Sequence, residues 1–263
     1  MMNLQLTGKH ALVCGSSQGI GRAIALQLAQ QGASVTLLAR NKDKLEQVLS
    51  ELDSTAGQQH QLLVADFSDT NQVKRVIDEH IDQGNQYQIL INNTGGPAPG
   101  PAHLAESDAF VAAFSQHLIN NHNLLQACLP GMRQAQYGRI INVISTSVKQ
   151  PLPNLGVSNT VRGAVANWAK TLANELGPDN ITVNNVLPGA TNTVRLEAII
   201  ENKAKKLNKS IDEVTAMEQS IIPLRRFGEA SEFANAVGFL ASPAAAYISG
   251  VNLPVDGGRT TCL

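Results

Sequence analysis

The sequence predicts an α/β fold, a doubly wound parallel β-sheet covered by helices on both faces. Three observations predict it. Short β-branched or aliphatic runs alternate with helical patterns from one end of the chain to the other. Those runs are mostly continuous in apolar character, as strands buried on both faces require. A glycine-rich turn joins the first run directly to the first helical pattern, the arrangement that places a ligand at the carboxyl edge of such a sheet.

In chain order, seven strands are expected: HALVCG (10–15), SVTLLA (34–39), QLLVAD (61–66), QILINN (88–93), RIINVIS (139–145), ITVNNVL (181–187) and NLPV (252–255). Residues 19–31, 41–53 and 157–176 carry the clearest helical periodicity. In the last, Val161, Val165, Trp168, Leu172 and Leu176 form one apolar stripe, and Gly177-Pro178 stops the helix. Residues 191–226 break the alternation. Apolar positions 196, 199, 200, 207, 211 and 214 suggest an amphipathic helix there, on an excursion long enough to cover a ligand crevice. Its seven cations (Arg195, Lys203, Lys205, Lys206, Lys209, Arg225 and Arg226) read as a solvated face.

A chain of 263 residues is near the upper end of what one core supports, so a single domain over 1–263 is expected. A net charge of −1 gives no reason to expect nucleic acid or an anionic membrane as partner. Cys14, Cys128 and Cys262 fall at unrelated spacings without a CxxC pair, which speaks against a disulfide framework or a metal site and favours a reducing, cytoplasmic setting. The opening MMNLQLTGKHALVCG does not read as a signal peptide, and no apolar run reaches the length of a membrane span.

CGSSQGIGRAIA (14–25) supplies Gly15, Gly19 and Gly21 between a strand and a helix. Glycines there let the backbone approach a pyrophosphate and present helix N-terminal N–H groups to it. At the end of the second strand stand Ala39, Arg40 and Asn41, with no carboxylate before Asp43. An acid there would bind a ribose 2′-hydroxyl, whereas Arg40 suits a 2′-phosphate and so NADP(H). The other reading of Arg40 is a solvated residue opening the next helix.

With these motifs the chain resembles the short-chain dehydrogenase/reductase family over nearly its whole length, with a general likeness to the 3-oxoacyl-acyl-carrier-protein reductase type. The resemblance implies a single Rossmann-type domain with a seven-stranded sheet. It implies cofactor contacts from the loop carrying Gly15, Ser17, Gly19, Ile20 and Gly21, with Cys14 where threonine is usual. Asp66 matches the aspartate that contacts the adenine ring. Asn92, Asn93, Thr94 and Gly95 are similar to an NNAG stretch, with Thr94 in place of alanine, which implies cofactor contacts from Asn92, Thr94 and Gly95. Pro188, Gly189 and Thr193 match a PGxxxT element, and PVDGG (254–258) a C-terminal strand and turn. The family likeness further implies a small-molecule substrate and a homo-oligomer, a tetramer or dimer, whose helices near 106–131 and 157–176 pack across a two-fold axis. Trp168 and Leu172 would supply its apolar material.

The family reaction uses Asn, Ser, Tyr and Lys. By alignment Ser145 keeps the serine position, whereas Ser158 stands at the tyrosine, His117 at the asparagine and Arg162 at the lysine, where it can still donate to the cofactor's ribose hydroxyls. A phenol can be tuned towards the working pH, but an aliphatic hydroxyl is far less acidic, so Ser158 is no like-for-like proton donor. His117 has a suitable intrinsic pKa but also reads as a structural helix residue. Lys149 is either an electrophile for a substrate oxygen or a solvated loop lysine. Loop 94–104, TGGPAPGPAHL, is stiff at its prolines and open at its glycines, and reads as a substrate wall or as a plain surface turn. Three functions compete: an NADP(H)-dependent oxidoreductase with Ser145 as oxyanion donor and an unconventional proton source, a catalytically silent dinucleotide-binding protein, and an imine reductase whose cationic substrate arrives already protonated.

Overall fold

The computed structural model describes residues 2–262, all but the two terminal residues of the expected domain. Its sheet consists of β1 (His10–Cys14), β2 (Ser34–Ala39), β3 (Gln61–Val64), β4 (Ile89–Asn92), β5 (Gly138–Val143), β6 (Ile181–Pro188) and β7 (Asn252–Val255). The strand order is β3-β2-β1-β4-β5-β6-β7, and every neighbouring pair is parallel. The order reverses between β1 and β4, so the carboxyl ends of those two strands open the crevice in which a doubly wound sheet binds its ligand.

Alternate side chains of β1 feed two cores. Ala11 and Val13 point to one face, with Leu45 of α2 (Lys42–Glu51), Ile24 and Leu28 of α1 (Gly19–Gln30), and Phe233 and Val237 of α9 (Ala230–Ala241). Leu12 and Cys14 point to the other. There they meet Val73 and Ile77 of α3 (Thr70–Asp82), Leu124 and Cys128 of α5 (Asn120–Gln134), and Ala169 and Leu172 of α6 (Gly156–Leu176). Continuous apolar strands are thus explained by burial on both sides. Leu172 is only 8% exposed and belongs to this internal core, which corrects the expectation that it supplies an oligomer face. The exposed apolar residues nearby are Val111 and Phe114 on α4 (Ser107–Phe114) and Ile119 just after it.

All seven expected strands exist, but four end early, β1 by the single residue Gly15. Asp66, Asn93 and Ser145, read as strand residues, lie just beyond β3, β4 and β5, where the chain leaves the ladder to line the crevice. One interior feature is polar. Asn92, Asn142, Asn185 and Asn252 stand in register on β4 to β7, and each amide donates to the next side chain's carbonyl at 2.8, 2.9 and 2.8 Å.

The 191–226 excursion forms two helices, α7 (Val194–Leu207) and α8 (Ile211–Ser220), in place of the single amphipathic pattern expected. Asn208 ends α7 in the left-handed region (φ 51°), and Ser210 with Glu213 caps the start of α8 reciprocally. Ile200, Ala204 and Val214 pack on Ile222 and Phe227. Ile199, Leu207 and Ile211, expected on the same buried stripe, are exposed: α7 buries only Ile200 and Ala204, and α8, which starts afresh after the break at Asn208, buries only Val214.

Candidate active site

The glycine loop is built by contacts that exclude side chains. Gly15 and Gly19 have φ of 59° and 58°, and a Cβ at Gly21 would sit 2.1 Å from the Gly15 carbonyl oxygen. Ser16 Oγ accepts from the Leu38 N–H at 3.0 Å, tying the loop to β2. From the opposite side Asn93 Nδ2 donates to the carbonyls of Cys14 and Gly15, both at 3.2 Å. No side chain caps α1, so its first N–H groups are left to the cleft that Ser17 and Ile20 border. A Cβ at Gly19 would touch the Thr193 methyl at 3.3 Å, which places Thr193, the N-cap of α7, opposite the loop. Gly189, following Pro188 at the end of β6, lies against Asp256 of the 254–258 turn. Cys14 is fully buried, and burial raises its thiol pKa, so it stays un-ionised.

Arg40 follows β2 with its side chain 79% exposed, 3.8 Å from the Asp66 carboxylate. The Ser68 backbone N–H and hydroxyl both donate to Asp66 at 2.9 Å, and with Arg40 nearby they hold its carboxyl below the usual range. Lys44, which the sequence reading did not single out, reaches back to Gln18 Oε1 at 2.7 Å and adds a second cation beside the loop. Its signal was the spacing, one helical turn past Arg40.

Asn92 differs from its expected role. Its side chain is 2% exposed and committed to the asparagine row inside the sheet, because strand alternation turns neighbouring residues to opposite sides. The side chain that meets the cofactor loop is that of Asn93. Thr94 Oγ1 accepts from Gln116 Nε2 at 3.3 Å, and a Cβ at Gly95 would meet open space.

At the other end of the crevice the helical chain loosens into a π-turn, Ser115–Ile119, between α4 and α5. His117 sits in that turn, 1% exposed, and its Nε2 has no partner. Burial, then Arg162, then Arg195 push its pKa down to about 3, so at neutral pH the ring is uncharged. Arg162, one turn past Ser158 on α6, is 7% exposed, and its Nη1 donates to the Val143 carbonyl at 2.8 Å. Burial and the neighbouring Arg195 lower its pKa to about 10, which still leaves it charged. Ser145 Oγ accepts from the Ser147 N–H at 3.1 Å, while Ser158 is half-buried with no hydrogen-bond partner among the described residues.

Arg195 is exposed, as the reading of the excursion's cations as a solvated face expects, but it also borders the crevice. It lies on the first turn of α7 with its guanidinium along Gly96, where a Cβ would stand 3.0 Å from Nη2. Periodicity could not separate it from six other cations on the same stretch. Loop 94–104 is pinned to the start of α6, since the Gly100 N–H donates to Asn154 and the Gly156 N–H to Gly100. A cavity of about 180 Å³ opens among Thr146, Gln150, Leu152, Ile221, Arg259 and Thr260. The tail beside it is anchored by Thr261 to Gln150 and by Cys262 to the carbonyl of Lys149, whose own side chain is half-buried. No tyrosine reaches this end: Tyr87 is core, Tyr137 donates to the Ala241 carbonyl at 2.6 Å, and Tyr247 is fully exposed. Among the described residues no cluster of His, Cys, Asp or Glu could hold a metal ion, and no helix is long and apolar enough to cross a membrane.

The sheet order, the switch-point crevice and the glycine cradle define a dinucleotide-binding α/β protein. The family described as enoyl-(acyl carrier protein) reductase matches residues 15–260. The chain is 34% identical to the NADPH-dependent reductase BacG of Bacillus subtilis over 96% of its own length and 98% of that protein's. It is 35% identical to the 3-oxoacyl-[acyl-carrier-protein] reductase FabG of Pseudomonas aeruginosa, over 97% and 98%. Among solved structures it is similar to YwfH, an NADPH-dependent reductase involved in bacilysin biosynthesis (TM-score 0.91, 33% identity, 97% and 99% covered). It is also similar to L-sorbose reductase of Gluconobacter frateurii complexed with NADPH and L-sorbose (TM-score 0.93, 30% identity, both chains covered in full). The chain belongs to the short-chain dehydrogenase/reductase family.

Proposed function

We propose that the protein is an NADP(H)-dependent reductase of a small molecule that develops negative charge on oxygen, and that it meets this charge with fixed donors instead of a tyrosine proton. NADP(H) fits the cleft. Gly15, Gly19 and Gly21 leave the room a side chain would fill, the α1 N-terminus is uncapped, and Arg40, 79% exposed and only loosely paired with Asp66, suits a 2′-phosphate. When bound, the reduced nicotinamide supplies a hydride to the substrate.

The chain's own part is electrostatic. The one hydrogen bond at Ser145 Oγ is accepted, so its proton is available to an oxygen gaining charge. Arg162 supplies a permanent, buried positive charge at the carboxyl end of β5, where its Nη1 donates to Val143, two residues before Ser145. Neutral His117 does not act as an imidazolium donor in the ligand-free site, and Ser158 is too weak an acid for the tyrosine's task. The final proton then comes from solvent, once the charge is stabilised.

The observation that carries this reading is the loss of the phenol beside a retained cation: Ser158 stands at the tyrosine position, while the buried Arg162 stays charged. It also sets the imine alternative aside, since a cationic substrate would face Arg162 and Arg195. Self-association through Val111, Phe114 and Ile119, and a reducing cytoplasmic setting for the free thiols, complete the proposal; sedimentation tests the first.

The functional test follows NADPH oxidation with a panel of β-ketoacyl thioesters, ketones, quinones, imines and 2-oxo acids. We expect turnover of at least one member, with Ser145→Ala lowering kcat by about 10²–10³-fold at unchanged NADPH affinity. NADPH binding with no turnover of any member would replace this reading by that of a silent dinucleotide-binding protein.

A further inference from the structure

We infer that the substrate carries a carboxylate, and that Arg162 and Arg195 hold it between α6, α7 and the His117 turn. This rests on the reductase reading above and names its substrate class.

The argument starts from charge balance. Arg22, Arg40, Arg133, Arg226 and Arg259 each face a carboxylate within the chain. Arg162 and Arg195 face none among the described residues, as is also true of Arg75, Arg139 and Arg225, but only here does one guanidinium, that of Arg195, lie close enough to another, that of Arg162, to disfavour its charge. Arg162 is nine-tenths buried and engages only the Val143 carbonyl, through Nη1. Two like charges held together at a half-closed site destabilise the empty protein, and an anion between them removes that penalty.

Geometry places the pair at the substrate side. Arg162 is one turn from Ser158 and reaches the carboxyl end of β5, which Ser145 follows. Arg195 lies along Gly96, on the loop after β4, and is open to solvent, so a ligand can reach it. The unpartnered, buried Nε2 of His117 supplies a third polar group, and the Gln116–Thr94 hydrogen bond at 3.3 Å holds its turn to the loop that carries Gly96. A guanidinium fork matches a planar carboxylate, and two forks with an imidazole give it more partners than a ketone oxygen alone needs. The cofactor's own phosphates are the other source of anionic oxygen, but their cradle is at Gly15–Gly21, with Thr193 opposite it.

The experiment titrates benzoate, crotonate and 2-oxohexanoate, each against its methyl ester, into the NADP⁺-saturated protein by calorimetry. At least one acid should bind tighter than its ester, and Arg195→Met should weaken that acid about 10- to 100-fold while leaving NADPH affinity unchanged. Arg195→Lys should restore part of the loss, since it keeps the charge and gives up the fork. If no acid outbinds its ester, the inference is overturned. It is also overturned if Arg195→Met loses NADPH affinity and leaves the acid's affinity intact, because the guanidinium then serves the cofactor. A bound acid that is never reduced supports the anion site and counts against the reductase reading. An ester reduced as fast as its acid does the reverse.

Discussion

The two ends of the crevice are built on opposite terms. At the nucleotide end nearly every group is answered from within the chain: Asn93 spans two carbonyls, Ser16 answers Leu38, and Gly21 fits against Gly15 with no room for a methyl. At the substrate end groups are left unanswered among the described residues, namely His117 Nε2, the Ser158 hydroxyl and the charges of Arg162 and Arg195. The first end holds a fixed shape that leaves open the uncapped N–H groups of α1 and the exposed Arg40. The second holds charge and hydrogen-bonding capacity that only a ligand completes. The difference separates a scaffold, where change is felt as folding or cofactor loss, from a site, where change is felt in turnover and specificity.

That contrast can be broken by substitution. The largest effect belongs to Gly21→Ala. Its new methyl meets a backbone oxygen at 2.1 Å, with no flexible side chain to give way. We expect a fall in stability of several kcal/mol or loss of NADPH binding, read by thermal unfolding and fluorescence titration. Ser145→Ala comes next, with its loss confined to kcat; an equal loss of NADPH affinity would show that the two ends are not separable. Arg40→Ala should weaken NADPH about 10- to 100-fold and leave NADH unaffected, since only the 2′-phosphate is lost as a partner.

The smallest effect is on stability against pH. His117 is held neutral in the folded chain down to about pH 3, whereas an unfolded histidine takes its proton near pH 6.5. Between those values the unfolded state binds more protons, so stability falls as pH falls, by at most about 1.4 kcal/mol per unit from this residue. Denaturant unfolding of His117→Asn at pH 6 and pH 4 should show a shallower decline than the parent. His80, also depressed by burial, contributes in the same direction in both proteins. Equal slopes would mean that His117 is protonated in the folded state and available as an acid.

The same division explains what could be read beforehand. The strands and glycine cradle were legible because continuous apolar runs and the Gly15, Gly19, Gly21 spacing are local consequences of burial and close approach. The asparagine row was half legible: Asn142, Asn185 and Asn252 interrupt apolar strands, but only the parallel register lines them up. Asn92 was taken for its neighbour Asn93 because side-chain direction depends on where β4 ends. Arg195 was hidden among cations of one helical excursion, and its contact with Gly96, 99 positions earlier in the chain, is tertiary. The role of the 259–262 tail beside Lys149 and Gln150 likewise depends on how β7 returns to the sheet.

The central claim is that charge stabilisation at Ser145 and Arg162, and not proton donation from the tyrosine position, runs the reaction. Steady-state kinetics of Ser158→Ala beside Ser145→Ala, on one substrate that the parent reduces, test it most directly. The account predicts kcat within about threefold of the parent for Ser158→Ala, against a loss of about 10²-fold or more for Ser145→Ala. A loss in Ser158→Ala as large as that in Ser145→Ala, at unchanged NADPH affinity, would make Ser158 the acid and contradict it.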